Sequence, residues 1–221
     1  MLKKSLEIPF MDSPGDLAEL PRISEIIEKD GVRVPIKENN WPDFSYQPET
    51  ILFCAWTSGW ILLKYRVKES HIKAVNTELN SEVYKDSCVE FFISTGRDYF
   101  YNFEFNCIGT AYSARGIPGD RELLEEKEVV GIRTFSTLGE KPISAREITI
   151  PWELTVAVPF SIFREEEFRD PSGQKFHANF YKCGDELPRP HYLSWNPIEA
   201  AEPDFHRPDF FGKIRFLSKH P

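Results

Sequence analysis

The sequence lacks several of the features by which function is often recognised. No apolar run approaches the roughly 18 residues of a membrane span, and no P-loop, G-x-S-x-G or H-E-x-x-H motif is present. Basic residues are outnumbered, because 27 Lys and Arg stand against 35 Asp and Glu, for a net charge of −8. We therefore expect no membrane partner and no nucleic-acid partner, since phosphate binding needs clustered Lys and Arg.

Closely spaced cysteine pairs are also missing. The four cysteines are Cys54, Cys88, Cys107 and Cys183. Zinc sites that can be read from a sequence usually contain C-x-x-C pairs, so no metal site is predicted here. We expect buried free thiols that pack as small apolar side chains, with disulfides as the alternative if the chain is secreted.

No leader peptide is visible at the start. The segment MLKKSLEIPF has two lysines, but Glu7 and Pro9 interrupt the apolar stretch that a signal peptide needs. We therefore expect a cytoplasmic protein, or a secreted one if a leader precedes this sequence.

The 17 prolines and 12 glycines separate many short apolar segments, which is typical of a β-rich domain. The prediction is one all-β domain over 1–221, a β-sandwich of jelly-roll or immunoglobulin-like form with one or two short helices. Residues 1–21 are expected to form an N-terminal arm. Helices are predicted at 22–30 and, with Asp120 as N-cap, at 119–128. Strands are predicted at 51–56, 60–68, 87–95, 99–107, 109–114, 129–135, 147–158, 176–183, 191–195 and 211–217.

Alternation within the strands predicts which side chains share a face. In 100–107, Tyr101, Phe103 and Phe105 fall on one side, while Asn102 and Glu104 fall on the other. The strands at 152–158 and 177–183 alternate in the same way. Asn, Glu, His and Tyr on an outer face suit a shallow polar groove, although an ordinary solvated sheet face would show a similar alternation.

Three motifs in the same order resemble the family 9 carbohydrate-binding modules, a group with the DOMON-like β-sandwich that is often attached to xylanases. A strand D-S-V-E-x-F-I-D corresponds to Asp86–Ile93, and a strand F-x-x-N corresponds to Phe103–Asn106. A closing strand F-G-x-L-x-F corresponds to Phe211–Phe216. The resemblance spans roughly residues 30–218 and implies a β-sandwich that binds carbohydrate without catalysis.

The resemblance also implies a binding site. In that family two aromatic side chains enclose a sugar at the reducing end of a glycan, while a glutamate, an arginine and an amide bind its hydroxyls. The corresponding aromatic positions hold Tyr84 and Phe205, each six residues before a motif residue, and the glutamate is Glu90. Glu104 stands where the arginine is expected, so a cation is replaced by an anion. Arg207, next to His206, is the candidate for the missing cation, and the amide position has no clear counterpart.

Two other functions remain open at this point. Glu90 and Glu104 are expected on adjacent strands, and glycoside hydrolases use a pair of carboxyl groups, so a carbohydrate-active enzyme is one alternative. The other is a protein-interaction sandwich, in which the aromatic loops would contact another chain. An exposed apolar patch without a polar cleft would favour the latter.

No cofactor is predicted, and the expected partners are an oligosaccharide or polysaccharide such as xylan and an associated glycoside hydrolase. Related modules often hold structural calcium, and candidate ligands are present in ENNWPDF at 38–44 and at Asp86. The wider sandwich superfamily includes haem-binding domains with Met and His ligands. The only methionines, Met1 and Met11, lie in the N-terminal arm, which argues against haem.

Overall fold

The computed structural model describes residues 3–12, 19–96 and 98–219. The described residues form two helices, α1 (Leu20–Asp30) and α2 (Glu126–Val129), together with short 3₁₀ turns. The strands are β1 (Ser5–Ile8), β2 (Val32–Pro35), β3 (Glu38–Asn39), β4 (Glu49–Trp56), β5 (Trp60–Lys68), β6 (His71–Ala74), β7 (Cys88–Ser94), β8 (Phe100–Asn106), β9 (Ala111–Ile117), β10 (Asp120–Leu123), β11 (Arg133–Ser136), β12 (Ile143–Glu147), β13 (Trp152–Pro159), β14 (Lys175–Cys183), β15 (Tyr192–Ser194) and β16 (Gly212–Phe216).

These strands form two large sheets and one small one. The nine-stranded sheet has the order β1-β16-β14-β7-β8-β9-β10, with β15 and β3 continuing from the end of β14. The second sheet has the order β11-β13-β5-β4-β2, and β12 pairs with β6 alone. Consecutive strands of the large sheets are mostly antiparallel neighbours, as short Gly- and Pro-containing turns allow.

The principal hydrophobic core lies between the two large sheets. It takes alternate residues from both, for example Leu63 and Leu154 from one sheet and Phe91, Phe103 and Phe180 from the other. Stacked sheets bury one face of each in this way, and the strand period of two then decides which side chains face inward. The predicted all-β sandwich is confirmed, and so are the faces predicted for β8, β13 and β14.

Each sheet is also covered on its outer face. Helix α1 packs Ile23 and Ile27 against β4 and β5 of the five-stranded sheet. The predicted helix at 22–30 is therefore confirmed, with its first residue at Leu20. On the nine-stranded sheet, a second apolar cluster forms beneath the loop segments around Trp41 and Phe205.

The helix predicted at 119–128 is wrong in its first half. Pro118 and Gly119 form a tight turn in which Gly119 has φ = 81°, the value that the third residue of a type II turn requires. Asp120 is consequently paired with Ile117 in a β-hairpin and is not a helix N-cap. The helix begins later, where Glu125 and Glu128 form a capping box.

Two predicted strand ranges also need correction. The strand predicted at 129–135 starts only at Arg133, because α2 continues to Val129. The range 147–158 is interrupted, since β12 ends at Glu147 and Pro151 precedes β13. Proline lacks the N–H that a strand ladder needs, so it is more common at the start of a strand than within one.

The N-terminal segment predicted as an arm contributes an edge strand. β1 pairs with β16 in parallel, and Phe10 forms an isolated bridge with Trp56. Met1 and residues 13–18 of that segment lie outside the described residues, whereas Met11 is buried. In the part of the chain that is described, no helix combines the length and the apolar character of a membrane span.

Candidate functional site

A cavity of about 300 Å³ opens on the outer face of the nine-stranded sheet, and we call it the acidic cavity. Its wall is formed by Tyr84, Glu90, Glu104, Tyr112, Arg121, Cys183, Asp185, Tyr192, Pro203, Asp204, Phe205 and His206. Four of the five residues predicted to bind sugar are in this wall, and they come from regions that are distant in the sequence. The cavity therefore depends on how the sheet and its covering loops meet.

The floor of the acidic cavity is formed by Glu90, Glu104 and Tyr112, which belong to a row of paired residues across adjacent strands. Tyr181 on β14 is paired with Glu90 on β7, Glu90 with Glu104 on β8, and Glu104 with Tyr112 on β9. Directly opposed residues of antiparallel strands point to the same face with their Cβ atoms about 4.5–5.5 Å apart. Alternation thus turns Glu90 and Glu104 away from the core and brings their carboxyl groups side by side.

Arg121 provides the cation of this face, and the sequence analysis missed it. It lies on β10, in the hairpin that was predicted as a helix, and it is paired with Gly116 of β9. The Nη1 atom of Arg121 donates a hydrogen bond of 3.2 Å to Oδ1 of Asn102, whose Nδ2 donates one of 2.9 Å to Glu104. Arg121 crosses β9 at the small residues Ala114 and Gly116. The turn dipeptide Pro118-Gly119 was the signal that could have placed it on the sheet.

Arg207, the predicted cation, lies outside the wall of the acidic cavity. Its Nη2 atom is 3.2 Å from Oδ2 of Asp209, and its guanidinium carbon lies 5.1 Å from the ring centre of Phe210. Both contacts are with residues that follow it closely in the chain. Arg207 and Arg121 are therefore distinct candidates, and only Arg121 lines the cavity.

Phe205 belongs to the loop that covers one side of the cavity. It is 7% exposed and stacks on Tyr181, with ring centres 4.2 Å apart and planes 10° apart. The hydroxyl of Tyr181 donates a hydrogen bond to the carbonyl oxygen of Phe205 at 3.2 Å. The two ends of the loop are also connected, because the buried side chain of Asn196 donates a hydrogen bond of 2.7 Å to the carbonyl oxygen of Phe210. Phe205 is thus held as a fixed wall with little of its ring free.

Tyr84 lies on the opposite loop and has more of its ring available. It is part of a 3₁₀ turn, Val83–Lys85, and its hydroxyl donates a hydrogen bond of 2.7 Å to Glu82. Its carbonyl oxygen accepts a hydrogen bond from the backbone N–H of Asp185 at 3.1 Å, which ties this turn to the segment after β14. Tyr112 and Tyr192 are the other half-buried tyrosines of the wall. Sequence reasoning missed both of them, because each is an ordinary residue near the end of a strand and no motif marks either position as part of a binding site.

Charge in the cavity is unbalanced toward carboxyl groups. Burial, with the neighbouring Glu104 as a second cause, raises the pKa of Glu90 well above its usual value. Burial and the same Glu104 raise the pKa of Asp185 to about 6. Both raised pKa values mean that these carboxyl groups hold their protons more tightly than exposed ones do. A carboxyl group donates a hydrogen bond when protonated and only accepts when ionised, so the floor can match sugar hydroxyls of either kind.

His206 forms an ion pair at the rim. Its Nδ1 atom lies 3.5 Å from Asp204, and its Nε2 atom lies 3.9 Å from Oε1 of Glu104. Burial opposes the charge of His206, but the nearby carboxyl groups of Asp204 and Glu104 favour the charged form and raise its pKa. The hydrogen bond with His206 in turn lowers the pKa of Asp204.

Two of the candidate calcium ligands, Asp86 and Asn40, form hydrogen bonds within the chain. Oδ2 of Asp86 accepts hydrogen bonds from the backbone N–H groups of Val75 and Asn76 and from the side chain of Asn106. Oδ1 of Asn40 accepts one from the N–H of Ile198. These contacts anchor loops around the sheet, so a structural role accounts for both side chains.

Comparison with known proteins relates the chain to carbohydrate-binding domains. A family model described as carbohydrate-binding family 9 matches residues 22–216. A candidate carbohydrate-binding protein from Bacteroides uniformis ATCC 8492 has a crystal structure that is 34% identical to this chain, with a TM-score of 0.89 over 97% of this chain and 100% of that one. The search of curated proteins found no match.

Two structures of family 9 modules from Caldicellulosiruptor kristjanssonii have the same fold at 10% identity. One was solved with cellotriose, with a TM-score of 0.60 over 98% of this chain and 95% of that one. The other was solved with glucose, with a TM-score of 0.58 over 98% and 97% of the two chains.

Proposed function

The chain belongs to carbohydrate-binding family 9, its function is carbohydrate binding, and we propose that the acidic cavity is the binding site. The ligand is a short oligosaccharide or the reducing end of a longer glycan, bound without covalent chemistry. One observation carries this assignment: a single cavity combines half-buried tyrosines, carboxyl groups with raised pKa values and one arginine. The relatives solved with cellotriose and glucose support the same class of ligand.

Sugar chemistry explains why these residues suit the task. A pyranose presents hydroxyls that donate and accept, and its ring face carries C–H groups that pack on aromatic rings. In our assignment Tyr84 packs on the ring, Phe205 closes the other side, and Glu90, Glu104 and Arg121 bind the hydroxyls. A volume of about 300 Å³ is at the small end for ligand pockets and fits a ligand of one or two rings.

Titration calorimetry with glucose, cello-oligosaccharides and xylo-oligosaccharides tests the proposal. Each sugar is used both with an intact reducing end and after chemical reduction to the alditol. We expect a dissociation constant of roughly micromolar or weaker, because few hydrogen bonds that compete with water contribute. Loss of binding on reduction supports recognition of the reducing end. Absence of heat with every sugar, from a folded sample, overturns the assignment and favours the protein-interaction alternative.

Paired variants test the assigned residues. Tyr84→Ala and Arg121→Ala should each weaken binding by about 1–1.5 kcal/mol, roughly tenfold, since a stacked ring and a charged hydrogen bond are worth this much. Arg33→Ala, an exposed arginine of β2, is the matched control and should leave the affinity unchanged. If Arg207→Ala weakened binding more than Arg121→Ala, the cation of the site would be Arg207.

The geometry supports glycoside hydrolysis less well than it supports sugar binding without catalysis. Glycosidase carboxyl groups flank the bond that is cleaved, whereas Glu90 and Glu104 are directly opposed residues on neighbouring strands of one floor. The raised pKa of Glu90 is nevertheless the property that a general acid needs. Incubation with cellotriose decides the matter: sustained release of glucose that Glu90→Gln abolishes would establish an enzyme.

We also propose that the chain acts together with a glycoside hydrolase. Binding of this kind raises the local substrate concentration for a linked or docked glycoside hydrolase, and the family resemblance points to xylan as one substrate. The acidic character of the chain favours neutral glycans over nucleic acid. A hydrolase mixed with the chain should degrade insoluble xylan faster only if the two bind each other or are fused.

A further inference from the structure

Three side chains of types that can ligate a metal, Cys88, Glu90 and Cys183, form a cluster at and just behind the floor of the acidic cavity. Cys88 on β7 and Cys183 on β14 are directly opposed on adjacent antiparallel strands. Glu90 is two residues after Cys88 on β7, so alternation places it on the same face. The two sulfur atoms and a carboxylate oxygen of Glu90 all lie within 4.8 Å of one another, and all three residues are buried.

The separations between these atoms agree with tetrahedral coordination. Sγ of Cys183 is 3.1 Å from Oε1 of Glu90, and Sγ of Cys88 is 3.9 Å from the same oxygen. With Zn–S bonds of about 2.3 Å and Zn–O bonds of about 2.0–2.2 Å, ligand sulfur and oxygen atoms are about 3.5 Å apart in a tetrahedron. The two distances lie on either side of that value, so small side-chain rotations suffice to place an ion between the three atoms.

The surroundings favour a cation. Within the described ranges, no Lys, Arg or His forms an ion pair with the Glu90 carboxyl group, which is only 3% exposed. Its hydrogen-bond donors are the two thiols, and the acidic residues Glu104 and Asp185 line the same cavity. A buried carboxylate is normally paired with a cation or coordinates a metal, and paired thiols select soft ions.

We propose that Cys88, Glu90 and Cys183 bind a thiophilic divalent cation, with Zn²⁺ as the representative ion. Glu90 and Cys183 line the acidic cavity and Cys88 lies behind them, so the fourth coordination position faces the cavity. Three protein ligands with one open position are the arrangement in which zinc binds water or an oxygen ligand. A water molecule or a sugar hydroxyl would occupy that position.

Cobalt substitution tests the site directly. Reduced, chelator-treated protein is titrated with Co²⁺, because thiolate ligands give Co²⁺ an intense near-ultraviolet charge-transfer band. We expect the band to saturate at one equivalent and to disappear when Zn²⁺ is added. No band from folded, reduced protein overturns the proposal.

Two double variants separate this cluster from the other thiols. Cys88→Ala with Cys183→Ala should abolish the band, whereas Cys54→Ala with Cys107→Ala, the other two buried cysteines, should retain it. The opposite pattern overturns the assignment. If the first pair does not fold, Glu90→Gln keeps both thiols and should weaken Co²⁺ binding by at least about tenfold, or 1.4 kcal/mol. An unchanged affinity would remove Glu90 from the site.

The proposed metal site depends on its three ligands and does not require the cavity to bind sugar. Calorimetry with sugar on chelator-treated and Zn²⁺-loaded protein keeps the two questions apart. Sugar binding by metal-free protein that shows no cobalt band overturns the metal site alone. A cobalt band in protein that binds no sugar overturns the proposed function alone.

Discussion

Single charged residues inside this protein fall into two groups, those that form buried ion pairs and those that face the acidic cavity. Lys182 and Glu69 represent the first group, since both side chains are fully buried and Nζ lies 2.9 Å from Oε2. Oε1 of Glu69 also accepts a hydrogen bond from Nε1 of Trp152 at 2.7 Å. Glu90 represents the second group. A buried acidic residue without a cationic partner lowers the stability of the fold, so its presence here indicates a functional position.

Removal of one member of the buried ion pair should destabilise the folded protein strongly. Lys182→Met leaves the Glu69 carboxylate without its cation, so we expect the free energy of unfolding to fall by about 3–5 kcal/mol in urea denaturation. The double variant Glu69→Leu with Lys182→Met removes both charges and should be more stable than Lys182→Met alone. A loss below about 1 kcal/mol for the single variant would contradict the pairing.

Asp185 gives a prediction for pH. Its pKa is raised to about 6 from an ordinary 3.8, chiefly by burial, so the folded state holds this proton more tightly than the unfolded state. The resulting stability is complete below about pH 4 and is lost as the pH rises through 6. Asp185→Asn should therefore gain stability relative to the parent chain between about pH 4 and pH 7, by roughly 1–3 kcal/mol. A difference that does not change with pH would contradict the raised pKa.

At the scale of elements, the β9–β10 hairpin decides the chemistry of the cavity. It extends the sheet by one short strand, and this strand brings Arg121 to the face that carries Glu90 and Glu104. The hairpin depends on Gly116, whose φ is 146° and whose missing side chain leaves space for the backbone of Asp120. Two glycines, Gly116 and Gly119, thus allow the hairpin that positions Arg121 in the cavity.

Substitution of Gly116 should affect both stability and binding. A Cβ at this position would lie 2.3 Å from the carbonyl oxygen of Asp120, so β10 must shift in Gly116→Ala. We expect a loss of about 1–3 kcal/mol in unfolding free energy and a fall in sugar affinity similar to that of Arg121→Ala. The control is Gly59→Ala in the β4–β5 hairpin, where an added Cβ meets nothing within 4 Å. Equal effects at the two glycines would contradict this account.

For the whole molecule, the core between the sheets couples the site to global stability. β7 and β8 carry Glu90 and Glu104 on one face and contribute Phe91, Phe103 and Phe105 to the core on the other. A ligand that binds only the folded state raises the unfolding free energy by about 2.7 kcal/mol at 100 times its dissociation constant. We expect sugar to shift the thermal midpoint accordingly, in one cooperative transition. A binding heat without a shift would mean that the covering loops open before the sheets unfold.

Elements with a local signal could be predicted from the amino-acid sequence. Alternation in β8, β13 and β14 predicted the buried and outward faces, because side chains of a strand alternate whatever surrounds it. Helical spacing of Ile23 and Ile27 predicted α1 for a similar reason. The three short motifs predicted the family, and they placed Tyr84, Glu90, Glu104 and Phe205 in positions that the fold gathers into one cavity.

Features that depend on contacts between distant segments became visible in the folded structure alone. Arg121 reaches Asn102 across β9, and Tyr192 meets the cavity through the pairing of β15 with β14. Cys88 and Cys183 are far apart in the chain, yet the register of β7 with β14 makes them direct neighbours. Strand order and register are set by how both sheets bury their apolar faces together, a global condition that no short window of sequence expresses.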